Sequence, residues 1–322
     1  MKKRKKRISR GKKFFLWLLG ILLVLVAGVG IYAGKVYFDV RTAADKTYET
    51  VERISETKRK GKVDYEKGQP FSVLMLGVDT GDLGRTEQGR SDSIMVATVN
   101  PQTKTTTLVS IARDMYTEII GKNKSDKINH AYAYGDVPMA IATVENLLDI
   151  PIDHYVEINM KGMKDLVDAV GGVEVNNAFS FNYEGANFPI GKLHLNGEEA
   201  LKYSRMRYDD PDGDYGRQDR QRRVISGIID KTKSVNTLTN YSNLFDILGN
   251  NTKTDISWKT LQVLVTSYRP ALTKITSDQL AGAGFTGDGV TGEKGISYQK
   301  VDAKELQRVQ QELKKQLGET TY

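Results

Sequence analysis

The strongest constraint on this chain is a basic segment that leads directly into a long uncharged one. Residues 2–13 contain nine lysines and arginines and no acidic residue. Residues 14–34 follow as a stretch of 21 residues without a charge. At a rise of about 1.5 Å per residue, a helix of that length spans the roughly 30 Å hydrocarbon core of a bilayer. The pattern predicts a transmembrane helix at 14–34 behind a basic tail at 1–13.

The basic tail also predicts the orientation of the chain in the membrane. By the positive-inside rule, residues 1–13 stay in the cytoplasm and residues 35–322 lie outside, as in a single-pass protein of the cell membrane. A cleaved signal peptide is the alternative, because a basic segment before an apolar run fits both. A retained anchor is favoured, since the apolar run is long for a signal peptide and no A-x-A-like site ends it.

Composition excludes several classes of function. The formal charge is +7, but without the nine positive charges before Phe14 the remainder carries −2. The outer part therefore lacks the general basic field of a nucleic-acid-binding protein. The chain has no cysteine, which excludes disulfides, thiolate metal sites and cysteine nucleophiles. An exported domain of about 250 residues must then be stabilised by its core, which that length can supply.

The order of apolar and polar segments predicts a layered α/β domain. Residues 35–70 are highly charged and predict a juxtamembrane helical stalk and linker before a domain at 71–322. The apolar runs 71–78, 93–100 and 105–112 predict strands, the last two joined as a hairpin by Pro101–Lys104. Further strands are predicted at 154–158 and 173–175, and helices at 137–148, 161–170, from 196, 218–233, 257–268 and 302–317.

Polar residues that a fold does not require are concentrated in three places. Asp79 follows the first strand and Asp92 precedes the second. Two carboxylates brought together at strand ends suit a hard cation such as Mg²⁺, although turn-forming aspartates explain either residue alone. Arg113 ends the third strand and is followed by Asp114, so an ion pair there is as consistent with the sequence as a functional role.

The third and densest place is the segment 204–223. It contains six arginines and five aspartates, and a predicted helix begins near Gly216. Guanidinium groups beside a helix N-terminus form an anion site, for which phosphate is the expected ligand. A solvated, internally paired run of charges is the alternative. His130, His154 and His194 show no metal-ligand spacing, and no P-loop motif is present.

Seven sequence motifs follow one another after the expected position of the anchor. They are LMLGVD (74–79), GRSDSIMVATVNP (89–101), VSIARD (109–114), INHAYAYGD (128–136), VGGVEV (170–175), LNGEEALKYSRMR (195–207) and GDYGRQDRQRRVI (213–225). In this order they resemble the motifs of the LytR-CpsA-Psr family of bacterial cell-wall ligases. The resemblance covers about residues 70–235.

This resemblance implies an enzyme with an α-β-α sandwich fold around a central mixed sheet. Members of the family take a glycopolymer from an undecaprenyl-pyrophosphate carrier and join it to peptidoglycan through a phosphodiester. The polymers include wall teichoic acid, capsule and rhamnose polysaccharides. An apolar pocket for the polyprenyl chain is expected among the helices around 138–170 and 224–229. The implied partners are the lipid-linked polymer, peptidoglycan and the bilayer, and the implied cofactor is Mg²⁺.

The same resemblance assigns roles to individual residues. Asp79 and Asp92 resemble the acids associated with Mg²⁺, and Asp92 is also the candidate group to take the acceptor's proton. Either Gln218 or Gln221 takes the polar position beside the pyrophosphate. The arginines that resemble the pyrophosphate clamp are Arg113, Arg205, Arg207, Arg217 and Arg220, of which Arg113, Arg205 and Arg207 are also taken as catalytic.

Two other functions use the same features. A surface polyprenyl-pyrophosphate hydrolase would need the same arginines and metal with water as acceptor. A non-catalytic membrane-bound regulator, or attenuator, would use the arginines for binding alone. The sequence identifies neither the polymer nor the oligomeric state, and it predicts no role for residues 236–322.

Overall fold

The computed structural model describes residues 34–39, 41–80, 89–232, 249–289 and 294–319. The predicted tail at 1–13 and membrane helix at 14–34 lie outside these ranges, except for Gly34. Within the ranges, none of the helices combines the length and the apolar character needed to traverse a bilayer. The topology expected from the N-terminal sequence stays a prediction.

The described residues form strands and helices in alternation. The strands are β1 (Phe71–Val78), β2 (Ser91–Asn100), β3 (Thr105–Ile111), β4 (Tyr116–Ile119), β5 (Lys124–Lys127), β6 (His154–Asn159), β7 (Val173–Asn177), β8 (Phe181–Tyr183), β9 (Ala186–Phe188), β10 (Gly191–Leu195), β11 (Thr252–Thr254), β12 (Lys274–Leu280), β13 (Ala283–Gly287) and β14 (Ile296–Lys300). The helices are α1 (Asn129–Leu148), α2 (Met160–Ala169), α3 (Gly197–Arg205), α4 (Asp214–Thr232), α5 (Trp258–Ser267) and α6 (Ala303–Gln316).

A mixed six-stranded sheet in the order β11-β6-β1-β2-β3-β12 forms the centre of the domain. Strands β1, β2 and β3 are antiparallel neighbours, whereas β6 is parallel to β1 and β12 is parallel to β3. The predicted α/β class, the central mixed sheet and the hairpin at Pro101–Lys104 are confirmed. The apolar runs 71–78, 93–100 and 105–112 form the middle of this sheet, because both of its faces are covered there and these strands are buried on both sides.

Helices cover the two faces of the sheet and bury separate cores. On one face, Leu74 and Val96 pack with Ile141 of α1 and Leu313 of α6. On the other face, Phe71, Leu108 and Tyr268 form a core against which Ile225 of α4 and Leu264 of α5 pack. Removal of this apolar surface from water is the main stabilising contribution.

A smaller core lies beside the sheet and fixes the position of α4. Val173 of β7, Phe181 of β8 and Tyr203 of α3 pack there with Val224 and Ile228 of α4. Helix α4 therefore contacts the sheet through Ile225 and the smaller core through Val224 and Ile228. The first turn of α4, which carries the arginine-rich sequence, is held between the sheet and the smaller core.

Two helix boundaries differ from the sequence prediction. Helix α1 begins at Asn129 rather than at 137, because a helical segment before the kink at Gly135 and Asp136 joins the predicted one. Helix α4 begins at Asp214 rather than at 218, so its first turn includes an acid favourable to the helix dipole. The other predicted helices agree within one or two residues at each described end, which is ordinary for such boundaries.

Both flanking segments contribute to the domain. Strands β11 and β12 come from the C-terminal region and add one strand to each edge of the sheet, and α6 covers one face. At the other end, Arg53 in the predicted stalk and linker donates to Glu145 at 3.1 Å. The Tyr65 hydroxyl lies 2.6 Å from Nε2 of His154. Much of the 41–70 segment thus lies against the domain.

Candidate functional site

Several of the predicted site residues meet at one edge of the central sheet. Asp92 is the second residue of β2, and Arg113 stands two residues after the end of the antiparallel β3. Because neighbouring antiparallel strands run in opposite directions, the start of β2 and the end of β3 share an edge. The first turn of α4 is held against the same edge, since Arg217 donates to the backbone oxygen of Asp92 at 3.3 Å.

The first contact of the site is an ion pair between two predicted residues. Nη1 of Arg113 donates to Oδ1 of Asp92 at 2.7 Å, and both side chains are half-buried. Partial burial acts to lower the pKa of Arg113, but Asp92, Asp214 and Asp114 outweigh it, so that pKa is raised. Arg113 is therefore a permanent cation at this edge, as arginine normally is.

Asp214 links two further arginines to this pair. Its Oδ1 lies 2.8 Å from Nη2 of Arg217 and 3.5 Å from Nε of Arg207. Arg217 is only 6% exposed. Burial lowers its pKa, and the like charges of Arg113 and Arg207 lower it further, against the opposing effect of Asp214 and Asp92. Three guanidinium groups are thus held close together.

Asp114 adds a third carboxylate. Its side chain is buried, and both burial and the neighbouring Asp214 raise its pKa. The start of α1 adjoins it, because the backbone N–H of Asn129 donates to the carbonyl of Arg113 at 3.2 Å. We name the arginine–carboxylate cluster by its six charged members, which are Asp92, Arg113, Asp114, Arg207, Asp214 and Arg217.

Buried polar atoms in and around the cluster are left without hydrogen-bond partners among the described residues. They are one side-chain oxygen each of Asp114, Asn129 and Gln218, and Nε of Arg217. An unsatisfied buried polar group costs about 1–3 kcal/mol. Such atoms therefore indicate a place that a polar ligand, an ion or water occupies when the protein works.

Other predicted residues on α4 are engaged in the architecture. Arg220 is 3% exposed, donates from Nε to the carbonyl of Tyr203 at 2.9 Å, and also contacts Asp210 and the carbonyl of Met206. Nε2 of Gln218 donates to Oδ2 of Asp214 at 3.0 Å, so it supports the cluster. Gln221 is half-buried on the same helix.

Arg205 and Arg207 point to different partners, although the family resemblance implies that both belong to one pyrophosphate clamp. Arg205 is the last residue of α3, and its Nη1 lies 3.2 Å from Glu184. Met206 between them is completely buried, which turns the chain before Arg207 reaches Asp214. In this structure Arg113, Arg207 and Arg217 lie together, whereas Arg205 and Arg220 make separate contacts.

Asp79, the second predicted metal ligand, lies at the same end of the sheet. It directly follows β1, and its backbone N–H donates to the carbonyl of Arg90 at 3.2 Å. Asp92 is two residues beyond Arg90. Within the described part of the chain, no group of three or more histidine or acidic side chains is arranged to hold a metal ion.

The apolar residues expected around the polyprenyl chain belong to the core of this structure. Val137, Ala140, Ile141 and Val144 of α1 pack against the central sheet. Val224 and Ile228 of α4 pack into the smaller core. A pocket for the lipid chain stays a prediction.

Two acids of the cluster, and one that supports Arg220, were not singled out from the sequence. Asp214 and Asp210 were counted among the charges of 204–223, and Asp114 was considered only as a partner of Arg113. Asp210 is recognisable only in three dimensions, where it contacts Arg220 across a loop. A Cβ at Gly216 would lie 2.0 Å from its carboxylate, so Gly216 permits this close approach.

Comparisons with known proteins identify the family of the chain. The LytR-CpsA-Psr family model matches residues 35–315. The chain belongs to the LytR-CpsA-Psr family. The polyisoprenyl-teichoic acid–peptidoglycan teichoic acid transferase TagU of Enterococcus faecalis is 55% identical over 311 residues, which are 97% of this chain and 99% of that protein.

Solved structures of family members share the fold. The crystal structure of B. subtilis TagU is 42% identical, with a TM-score of 0.61 over 79% of this chain and 99% of that one. The structure of TagT bound to LI-WTA is 34% identical, with a TM-score of 0.67 over 84% of this chain and 100% of that one. The resemblance inferred from the sequence motifs is confirmed.

Proposed function

We propose that this protein transfers teichoic acid from a polyprenyl-linked carrier to peptidoglycan. The observation that carries the proposal is the convergence of Arg113, Arg207 and Arg217 at the sheet edge, in a chain of this family. Three guanidinium groups so close together repel one another and need anions between them. Asp92, Asp114 and Asp214 supply those anions in the free protein, and the phosphates of the donor supply them when it binds.

The cluster suits phosphoryl transfer because that reaction depends mainly on positioning and on neutralising charge. Arginine N–H groups donate to the phosphate oxygens, where charge-assisted bonds are strong and directional. The acceptor hydroxyl attacks the phosphorus next to the polymer, a new P–O bond forms, and the polyprenyl phosphate leaves with the bridging oxygen. Preorganised donors of this kind stabilise the transition state without further reorganisation.

A carboxylate is needed to take the proton of the attacking hydroxyl. We assign this role to Asp92, which is half-buried and held by Arg113 at 2.7 Å. Asp114 is a second carboxylate of the same cluster. Because its pKa is raised, Asp114 is protonated more readily than an exposed aspartate. A base must lie within hydrogen-bond reach of the proton that it removes, and Asp92 is the more accessible of the two.

Mg²⁺ is proposed as the cofactor on the basis of donor chemistry. Asp79 and Asp92 sit at the same end of the paired strands β1 and β2, and Mg²⁺ is commonly held by one or two carboxylates together with substrate phosphates. The position and the chemistry of these two carboxylates support this proposal. When bound, it would neutralise charge on the phosphate oxygens. Because Asp92 pairs with Arg113 in the free protein, Arg113 must share or release this carboxylate.

The place of action is likewise proposed from the sequence. A helix at 14–34 would hold residues 35–322 at the outer face of the membrane, where a polyprenyl carrier and peptidoglycan are both within reach. Protease added to intact protoplasts should then digest the domain. Complete protection of the domain would contradict this topology.

The transfer assay tests the function directly. It uses the full-length chain, a lipid-pyrophosphate-linked glycopolymer and a peptidoglycan oligosaccharide. Loss of one charge-assisted bond, worth about 1.5–3 kcal/mol, should lower turnover roughly ten- to a hundredfold in Arg113→Ala and Arg207→Ala. Arg269→Ala, an exposed arginine on another element, is the matched control. Wild-type transfer by both cluster variants would contradict the proposal, and phosphate release without transfer would indicate the hydrolase.

A further inference from the structure

Two neighbouring cavities meet at the edge strand of the central sheet. One, of about 710 Å³, lies between β12 and α4. The other, of about 1030 Å³, lies between β12 and α6. Ser277 and Asp278 of β12 line both, so the two cavities flank the same stretch of this edge strand. We name this the edge-strand groove, and its lining includes Tyr215, Arg222, Ser277, Asp278, Gln311 and Gln316.

One end of the groove borders the first turn of α4, which carries Asp214 and Arg217 of the arginine–carboxylate cluster. Strand β12 is parallel to β3, and Leu280 at its end pairs with Ile111, two residues before Arg113. Tyr215 lines the groove next to Asp214 on α4. The lining extends along β12 from Lys274 to Gln279, which at about 3.3 Å per residue is a length of roughly 20 Å. That shape suits a linear chain whose end lies at the reaction centre.

The charges that line the groove cancel. Six acidic and six basic residues line the two cavities together. Several of them already pair with each other, as Arg308 does with Asp278 at 2.7 Å. A site for a polyphosphate chain needs an excess of positive charge. The groove lacks that excess, so it suits a polymer whose recognition depends on hydroxyl and amide groups.

Each half of the groove also carries an unsatisfied buried polar group. Arg222 is 6% exposed, and its Nε and Nη1 have no hydrogen-bond partner in the described part of the chain. In the other half the same holds for Oε1 of Gln316. The rings of Phe179 and Tyr203 line the first cavity as well. A sugar chain can form hydrogen bonds with such donors and acceptors and can pack against the aromatic rings.

We propose that the edge-strand groove binds the glycan strand of the acceptor, peptidoglycan, and delivers one of its hydroxyl groups to the cluster. The proposal rests on the proposed transfer function, and it assigns the acceptor to a different surface from the phosphate groups of the donor. The donor's teichoic acid chain, which is a polyanion, is the occupant that the balanced charge disfavours.

The experiment fills the groove with a bulky side chain. Ser277 on β12 and Gln311 on α6 are exposed and lie outside the cluster, so Ser277→Trp and Gln311→Trp should obstruct the groove and leave the cluster intact. Ser267→Trp and Gln262→Trp on the exposed side of α5 are the matched controls. The full-length variants are assayed in detergent micelles with a lipid-pyrophosphate-linked donor and peptide-free peptidoglycan oligosaccharides of increasing length.

The groove variants should raise the KM for long oligosaccharides at least about tenfold, which equals about 1.4 kcal/mol of lost binding. The Kd for the donor should stay at the wild-type value, and the controls should match wild type in both. An unchanged acceptor KM would overturn the proposal. So would a raised donor Kd with an unchanged acceptor KM, because the donor polymer would then occupy the groove.

Direct binding separates this proposal from the proposed function. Fluorescence anisotropy with a labelled oligosaccharide measures acceptor affinity without any transfer. Wild-type protein that binds the oligosaccharide, with weaker binding by Gln311→Trp, supports the groove even if no transfer is found. Equal binding by wild type and Gln311→Trp overturns it even if transfer is efficient. Gln311→Trp decides the matter if Ser277→Trp does not fold, since Gln311 projects from the exposed side of a helix.

Discussion

Arg217 and Arg220 stand three residues apart on α4, and both are more than nine-tenths buried. The N–H groups of Arg220 donate to the carbonyls of Tyr203 and Met206 and to the carboxylate of Asp210. Its guanidinium lies 5.3 Å from the ring centre of Phe181. Arg217 keeps an unpartnered Nε among the described residues and faces two like charges. Burial alone therefore does not identify a binding arginine. The state of its hydrogen-bonding groups does.

The physical reason lies in the cost of burying charge. A buried guanidinium is stable only when its charge is paired and its donors are satisfied. Arg220 meets both conditions within the protein and fixes the loop 206–213 to α4. Arg217 meets them only in part. A phosphate that completes the hydrogen bonds of Arg217 removes the remaining cost of burying it, and this removal contributes to the binding free energy. The same helix thus carries one arginine for the architecture and one for a ligand.

The largest effect is expected on stability when each of the two arginines is truncated to alanine. Arg220→Ala should lower the free energy of unfolding by about 3–5 kcal/mol, because it leaves Asp210 buried without its partner. Arg217→Ala should cost clearly less, since Asp214 keeps Arg207 and the repulsion among the arginines is relieved. Urea titration of both variants measures this. The exposed Arg269→Ala should stay within about 0.5 kcal/mol of wild type, and equal losses at 217 and 220 would refute the distinction.

A second test concerns the carboxylates that balance the cluster. Burial and Asp214 raise the pKa of Asp114. Because its pKa is higher in the folded than in the unfolded chain, the folded chain binds this proton more tightly. The contribution to the free energy of unfolding therefore rises as pH falls from neutral through the folded pKa.

Asp114→Asn should abolish that contribution, so the stability of the variant should gain less than wild type on acidification. The measurement is the free energy of unfolding at a series of pH values from neutral to about 4, near the ordinary pKa of aspartate. Asp209→Asn, at an exposed aspartate, is the control and should follow the wild-type curve. A curve for Asp114→Asn parallel to wild type would exclude the titration of this carboxyl.

The smallest effect is expected in a test of whether Arg205 binds the donor. Its pairing with Glu184 at 3.2 Å is partly exposed, and such pairs are worth about 0.2–1 kcal/mol. If Arg205 binds the donor, as the family resemblance implies, it must leave Glu184 first. Glu184→Gln should then tighten donor binding by up to about fivefold. Glu198→Gln, which loses an ion pair with Lys202, is the control. Unchanged donor affinity in Glu184→Gln would mean that Arg205 does not bind the donor.

The sequence predicted those parts of the molecule that depend on local pattern. The apolar runs at 71–78 and 105–112 predicted strands correctly, and Asp92 and Arg113 were recognisable as strand-end residues. Tertiary packing decided the rest. Arg205 and Arg207 diverge because Met206 is buried between them, and Arg220 finds Asp210 only when a loop folds back. Strand β11 has only three residues and β12 has few apolar ones, so no periodic pattern predicted them.

The contribution of the C-terminal region to the sheet has a consequence for how the chain is made. A ribosome releases the N-terminal strands first, so β1, β2, β3 and β6 form while β11 and β12 are still to come. Until then, the sheet has an open edge at β6 and another at β3, and open edges recruit other strands. The pairing of β3 with β12 joins residues about 170 positions apart, which makes folding slow. A chain that stops before residue 274 would keep the edge of β3 uncovered and would tend to aggregate.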